Sequence, residues 1–269
     1  MVTDLAEVCG QEAAKRALEV AAAGGHSLLL IGPSGAGKSI LARCMPGLLP
    51  PDTPRPVRVP GLGLTPKGVA REFALAVGGT LILDDLPALR PATLRALAEA
   101  LDHDHEHVQL VATMRPCPCG HLGDHRTACG CTPGQVRRWR GRVDVPLAGR
   151  FDLFVGVPAV TLGELQRGAG EPSARVASRV AAVRAVQTRR GCLNAAMRPG
   201  EVARRCRPDN AGRALLDAVF ERLGLSAATL HRVLRVARTL ADLAGAERLS
   251  VGHVAEAVQC RPEVEGVRW

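Results

Sequence analysis

Residues 32–39 read Gly32, Pro33, Ser34, Gly35, Ala36, Gly37, Lys38, Ser39, which fits the pattern GxxxxGK[ST]. Each residue type has a physical use there. Glycine lets the backbone turn tightly enough for successive N–H groups to converge on phosphate oxygens. Lys38 carries a point charge to the β- and γ-phosphates of a nucleotide, and the Ser39 hydroxyl suits a Mg²⁺ ligand. Such a loop needs a carboxylate on a neighbouring strand. The stretch GGTLILDDLP (78–87) supplies two. Asp84 is placed to hold Mg²⁺, and Asp85 to orient or activate the attacking water.

A second cluster lies in MRPCPCGHLGDHRTACGCTP (114–133), where Cys117, Cys119, Cys129 and Cys131 form two Cys-x-Cys pairs. Four thiolates can close a tetrahedral Zn–S₄ site, structural because no coordination position stays open. Gly120, Gly123 and Gly130 free the loop to wrap an ion, and His121 and His125 are spare ligands. The other reading is a loop of free thiols. His103, His105 and His107 alternate with Asp104 and Glu106. They would share one face of a strand, or belong to a solvated turn.

These groups need elements to carry them. Residues 28–31 are a short apolar run feeding the glycine loop, hence a buried strand, and a helix follows over 40–45 with its positive end toward the anion. Residues 80–83 read as a second buried strand, ending at the two aspartates. Residues 172–190, 208–224 and 226–245 read as helices, with Ser226 as a cap and Val176, Val180 and Val183 on a core face. Ser250 caps a further helix.

Composition sets the outer limits. A chain of 269 residues with 46% apolar content can bury a real core. No apolar run approaches the roughly 20 residues of a membrane span. The N-terminus is acidic and helical in pattern, unlike a secretory signal. Five of the nine cysteines are scattered, as buried thiols of a reducing, cytoplasmic compartment would be. The net charge is +9, and residues 135–269 carry 23 of the 35 Lys/Arg against 13 of the 26 Asp/Glu. A basic second half points to a polyanion partner such as DNA. A composition bias is the other reading, since 32 of the 35 basic residues are arginine. Only six aromatics are present, too few for an extensive base-stacking platform.

The spelling DLAEVCGQEAAKRALEVAAAGGHSLLLIGPSGAGKS resembles the opening of the magnesium-chelatase-like AAA+ ATPases of the ComM/YifB group. The resemblance resumes at LVATMRPCPCG, RVDVPLAGRFDLFVGVP and LSAATLHRVLRVARTLADLAGAERLSVGHVAEAVQ, nearly the whole chain. It implies an α/β AAA+ P-loop NTPase core, a parallel sheet with helices on both faces, over residues 1–158. An all-helical lid follows over 159–269. It also implies ATP and Mg²⁺ at 32–39 and Asp84, and homo-oligomeric rings, commonly hexamers, that handle DNA or a protein partner. Arg150, in PLAGRFDL, matches the arginine that reaches a neighbouring subunit's γ-phosphate; a surface salt bridge is its other reading.

Where the group has a second Glu, this chain has Asp85. Where it has a water-orienting Asn, this chain has Arg115, which only donates. The lid's sensor arginine falls at Ala228, and Arg232, four residues on, is the candidate substitute. Gly149 replaces an aspartate before Arg150. The intervals 46–68 and 101–109 are short where relatives carry pore-lining insertions, and the resemblance leads to the expectation of a chain that begins at the ATPase core, without the group's N-terminal domain. The expectation is an ATP-binding ring that remodels DNA with weak hydrolysis. The alternatives are an ATP-dependent switch or adaptor, and a magnesium-chelatase motor subunit.

Overall fold

The computed structural model describes residues 3–60, 63–102, 108–166 and 170–261. His103, His105 and His107 lie outside these residues. In chain order the elements are α1 (Glu12–Gly24), β1 (Leu28–Ile31), α2 (Lys38–Cys44), β2 (Val57–Val59), α3 (Pro66–Leu75), β3 (Thr80–Leu83), α4 (Pro91–Asp102), β4 (Gln109–Met114), α5 (Pro133–Leu147) and β5 (Leu153–Gly156). Then come six helices, α6 (Leu162–Leu165), α7 (Ser173–Arg190), α8 (Pro199–Arg205), α9 (Asn210–Leu223), α10 (Ala227–Leu243) and α11 (Val251–Gln259).

The strands form one parallel sheet in the order β2-β3-β4-β1-β5. Helices cover both faces, so the central strands read as apolar runs without alternation. Leu28, Leu29, Leu30, Leu81, Ile82, Leu83, Leu110 and Val111 are all buried. Leu28 and Leu30 belong to a core shared with α1, α2 and the C-terminal helices, whereas Leu29 faces a second core with α3, α4 and α5. The chain is thus an α/β AAA+ core followed by a helical region, and one hydrophobic core runs across both. No helix among the described residues is long and apolar enough to cross a membrane.

Sequence signals and structure agree closely at the helix caps. Ser226 Oγ accepts from Thr229 N, Asp209 from Gly212 N and Ser250 from His253 N. Helix α10 stops at Leu243, two residues before Gly245, which takes the left-handed φ of +66° just beyond the end. The described residues of the proline-rich interval 46–68 hold more regular structure than that composition implies. Three residues between prolines, Val57–Val59, pair with β3 at the sheet edge, where proline neighbours do no harm. Thr65 then caps α3 with Pro66 in its first turn.

The helical region is tied to the sheet by a buried polar network. Asp242 accepts from Arg190 (2.8 and 2.9 Å), Arg238 Nε (3.0 Å) and Asn194 Nδ2 (2.8 Å). Asn194 also donates to Thr239 Oγ1 at 3.0 Å, and that hydroxyl meets His26 Nε2, just ahead of β1, at 2.7 Å. Removing one member strands the others' charge in the interior. Asp242→Ala is therefore expected to lower the unfolding free energy by about 3–5 kcal/mol in chemical denaturation. Glu12→Ala breaks only an exposed pair with Lys15 and is expected to cost less than about 1 kcal/mol.

Candidate functional site

β1 delivers the chain to the glycine loop at the C-terminal end of the sheet. Gly35 and Gly37 adopt φ of +77° and +92° with open space where a side chain would stand. The N–H groups of Gly35, Gly37, Lys38 and Ser39 have no acceptor among the described residues. Unpaired amides at a helix start make an anion cradle. The rest of the loop is held firmly. Gly32 N donates to Met114 O (3.2 Å), and Ser34 N to Gly120 O (2.8 Å). A Cβ on Gly32 would come within 2.0 Å of Val157 O, so only glycine fits there. Buried Gln11 spans beneath the loop, donating to Pro158 O (2.7 Å) and Ala36 O (3.3 Å).

The Lys38 ammonium donates to Gly32 O (2.7 Å) and Pro33 O (2.6 Å) inside the same loop. Burial lowers its pKa to about 8, against the opposing pull of Asp85. These features fit a nucleotide polyphosphate: free amides, a poised ammonium and open space above the glycines.

The two acids after β3 sit beside it, each already engaged. Asp84 accepts from Arg58 (2.8 Å) and from Thr113 Oγ1 (3.4 Å). Asp85 takes a left-handed φ of +53°, which costs a non-glycine residue on the order of 1–2 kcal/mol. Its amide donates to Thr113 Oγ1 at 2.9 Å. Its Oδ2 is gripped twice by Arg115, through Nε (2.9 Å) and an Nη (2.7 Å), while Oδ1 is buried with no hydrogen-bond partner among the described residues. Arg115 is itself fixed. Its guanidinium lies over Trp139, 5.1 Å from the ring centroid, and donates to Pro118 O (3.0 Å). Trp139 Nε1 in turn donates to Arg115 O (2.9 Å).

The four cysteines converge, all free of disulfides, their sulfurs within 4.8 Å of one another. A tetrahedral thiolate site is therefore compatible with the geometry. His121 faces Asp124 at 3.8 Å. The backbone N–H of His121 is the main cause that pulls the Cys119 thiol down to about 6.

Arg150 and Arg232 sit elsewhere. Arg150 pairs with Asp102, the last residue of α4, and Arg232 lies 4.0 Å from Asp152. Both line a cavity of about 490 Å³ with Arg184 and Arg235, beside Ser27, Thr80, Gln109 and Asp152. Those four residues mark the N-terminal ends of the strands, so the length of β1 separates Arg232 from its own chain's phosphate loop. Arg232 does not stand over that loop. Gln11, Arg58, Thr113 and Trp139 carry no role in the sequence reading, although Gln11 and Thr113 lie in stretches whose spelling resembles the family. Thr113 alone leaves a trace, a polar residue near the end of an otherwise apolar strand.

Comparison with known proteins agrees with this geometry. The family model "Magnesium chelatase, subunit ChlI" matches residues 4–57 and 62–165, and "Magnesium chelatase, subunit ChlI C-terminal" matches 170–261. Competence protein ComM of Haemophilus influenzae is 36% identical, over 97% of this chain and 60% of its own length. YifB of Salmonella typhimurium is 37% identical, and YifB of Escherichia coli 36%, each over 96% of this chain and 60% of the relative. The chain therefore spans about 60% of the length of these relatives. A parallel sheet with a glycine loop after β1, a cysteine loop after β4 and matches along nearly its whole length place this chain in the magnesium-chelatase-like AAA+ family, in the group of ComM and YifB.

Proposed function

We propose that this chain binds ATP with Mg²⁺ at residues 32–39, assembles with copies of itself into a ring, and acts on DNA while hydrolysing ATP slowly. Residues 1–158 would hold the nucleotide, and 159–269 would act as the lid. The free amides of Gly35, Gly37, Lys38 and Ser39 would hold the phosphates, with Lys38 turning from Gly32 O and Pro33 O to the nucleotide. Ser39 and Asp84 would hold Mg²⁺, which supplies charge to the β- and γ-oxygens when bound. Asp84 must exchange its pair with Arg58 to do so.

The observation that carries slow hydrolysis is the double grip of Arg115 on Asp85 Oδ2. A carboxylate oxygen occupied by one guanidinium is turned from the water it should orient. Arg115 has no acceptor to replace the missing Asn. Assembly rests on the opposite end of the sheet. Arg150 and Arg232 share a cavity a strand's length from their own phosphate loop, which suits service to a neighbour's nucleotide. ComM's name ties that relative to competence, and the basic residues of 135–269 suit a DNA partner. A reducing cytoplasm suits nine free cysteines.

The same grip favours a second reading, an ATP-dependent switch that recruits a partner without acting as a motor. DNA affinity measured against salt separates them: a steep fall supports the DNA-acting ring, and no binding at low salt leaves the switch.

Steady-state phosphate release from the purified chain, with and without DNA, is expected below about 1 s⁻¹, the low end for enzymes. Arg115→Asn is expected to raise it; wild-type rates near 10 s⁻¹ that Asp85→Asn abolishes would contradict the slow-hydrolysis reading.

Nucleotide affinity should also report Lys38. Its pKa in the folded chain is about 8, below the ordinary 10.5, and phosphate binding needs the protonated amine. Affinity is thus full below pH 8 and falls as pH rises through it. A fluorescent ATP analogue is expected to bind about tenfold more weakly at pH 9 than at pH 7.

A further inference from the structure

The cysteine loop touches the phosphate loop directly. Cys117 starts a turn in which Gly120 N donates to Cys117 O (3.1 Å), and Gly120 O then accepts from Ser34 N (2.8 Å). Gly120 has φ +82°, and a Cβ on it would come 2.2 Å from Ser34 Oγ. Between the first two cysteines, Pro118 O accepts from Arg115, the residue gripping Asp85. The second pair is anchored separately. Cys131 precedes Thr132, which caps α5 in a reciprocal box with Gln135. Helix α5 also returns to the first pair, through Trp139 Nε1 to Arg115 O and Arg140 Nε to Pro116 O (3.2 Å).

The sulfurs themselves have the spacing of a metal site. Cys117 to Cys119 is 3.4 Å, Cys117 to Cys129 is 3.7 Å and Cys119 to Cys129 is 3.6 Å. Zn–S bonds of about 2.3 Å at tetrahedral angles put ligand sulfurs about 3.8 Å apart. These contacts are far too long for disulfides. Leu122 N points at Cys117 Sγ from 3.4 Å, the kind of amide that stabilises a bound thiolate.

We propose that Cys117, Cys119, Cys129 and Cys131 bind one zinc ion, and that this ion sets the phosphate loop by holding Gly120 O on Ser34 N. The ion fastens the first Cys-x-Cys pair, which carries the Gly120 carbonyl, to the second, which is rooted on α5. Without it the Cys117–Gly120 turn keeps only its hydrogen bonds to Arg115 and α5, and the phosphate loop loses part of the support that preorganises it for nucleotide. Zinc therefore acts as a positioning element for a site whose ligands it never touches.

The test uses the purified chain, with zinc content, nucleotide affinity and amide hydrogen exchange as separate readouts. One zinc per chain is expected, with cobalt substitution giving the strong visible bands of a tetrahedral thiolate site; a folded chain that takes up neither metal overturns the proposal. Zinc removal by chelation should speed exchange at the hydrogen-bonded amides of Gly32, Ser34 and Ala36, Ser34 above all, and weaken a fluorescent ATP analogue about tenfold, the scale of one lost hydrogen bond, with added zinc restoring both. Unchanged exchange and affinity in the zinc-free chain overturn it.

Should the zinc-free chain unfold, Gly120→Ala decides, because it disturbs the contact with Ser34 and keeps all four ligands. It is expected to retain zinc, lose affinity and exchange faster at the loop. Retained zinc with wild-type affinity and exchange overturns the proposal. The affinity readout rests on the ATP-binding reading above. A zinc-loaded chain that binds no ATP refutes that reading, and loop exchange alone then decides this one.

Discussion

The constraint that organises this molecule is a loop that must leave its own hydrogen-bond donors unpaired. An amide without an acceptor is costly once it leaves water, and of the four between Gly35 and Ser39 only that of Gly35 belongs to an exposed residue. Such a loop cannot hold its shape by satisfying itself. It is held by neighbours: Met114 O, Gly120 O and the Gln11 side chain each take or give one hydrogen bond, and Val157 O packs against the missing side chain of Gly32. These contacts come from β4, the cysteine loop, the segment before α1 and the segment after β5. The parallel topology brings all four to one edge, which is why the order β2-β3-β4-β1-β5 matters to the chemistry.

Backbone conformation follows the same logic. Gln11 and Asp85 are the non-glycine residues described with positive φ, at +59° and +53°. Both border the phosphate loop or its acidic partner. Gln11 turns to bridge Ala36 and Pro158, and Asp85 turns so that its amide reaches Thr113. Strain of this kind persists only where surrounding contacts over-determine it.

Much of this was legible in the residues. The glycine loop announces its turn because only glycine tolerates those φ values, and the helices of the C-terminal half announce themselves through Ser226, Asp209 and Ser250 at their caps. The magnesium-chelatase-like family was legible in the spelling. What stayed hidden was set by contacts distant in sequence. Nothing in the string places Arg58 on Asp84, or Arg115 between Asp85 and Trp139, because those pairs form only when β2, β3 and β4 align. Arg232 shows the reverse case. Its helical position marks it as a candidate sensor without saying which nucleotide it would face, and the fold carries α10 to the other end of the sheet, beside Asp152. Strand β2 was obscured by the prolines around it, since a three-residue edge strand has too few residues to show a period.

The scarcity of lysine has its own consequence. Of 35 basic residues 32 are arginine, whose guanidinium keeps its proton at any pH the fold survives. The positive part of the field that this protein presents to a polyanion is therefore nearly constant with pH; above the range where the 26 carboxylates and 8 histidines titrate, salt is the main control on its strength. Lys15, Lys38 and Lys67 are the lysines of the chain. Lys15 is fastened to Glu12 on the outside of α1, whereas Lys38 sits among loop carbonyls. Side-chain amine chemistry is thus confined to three positions, one of them at the phosphate loop, and the surface field and that loop can be perturbed independently, one by ions and the other by protons.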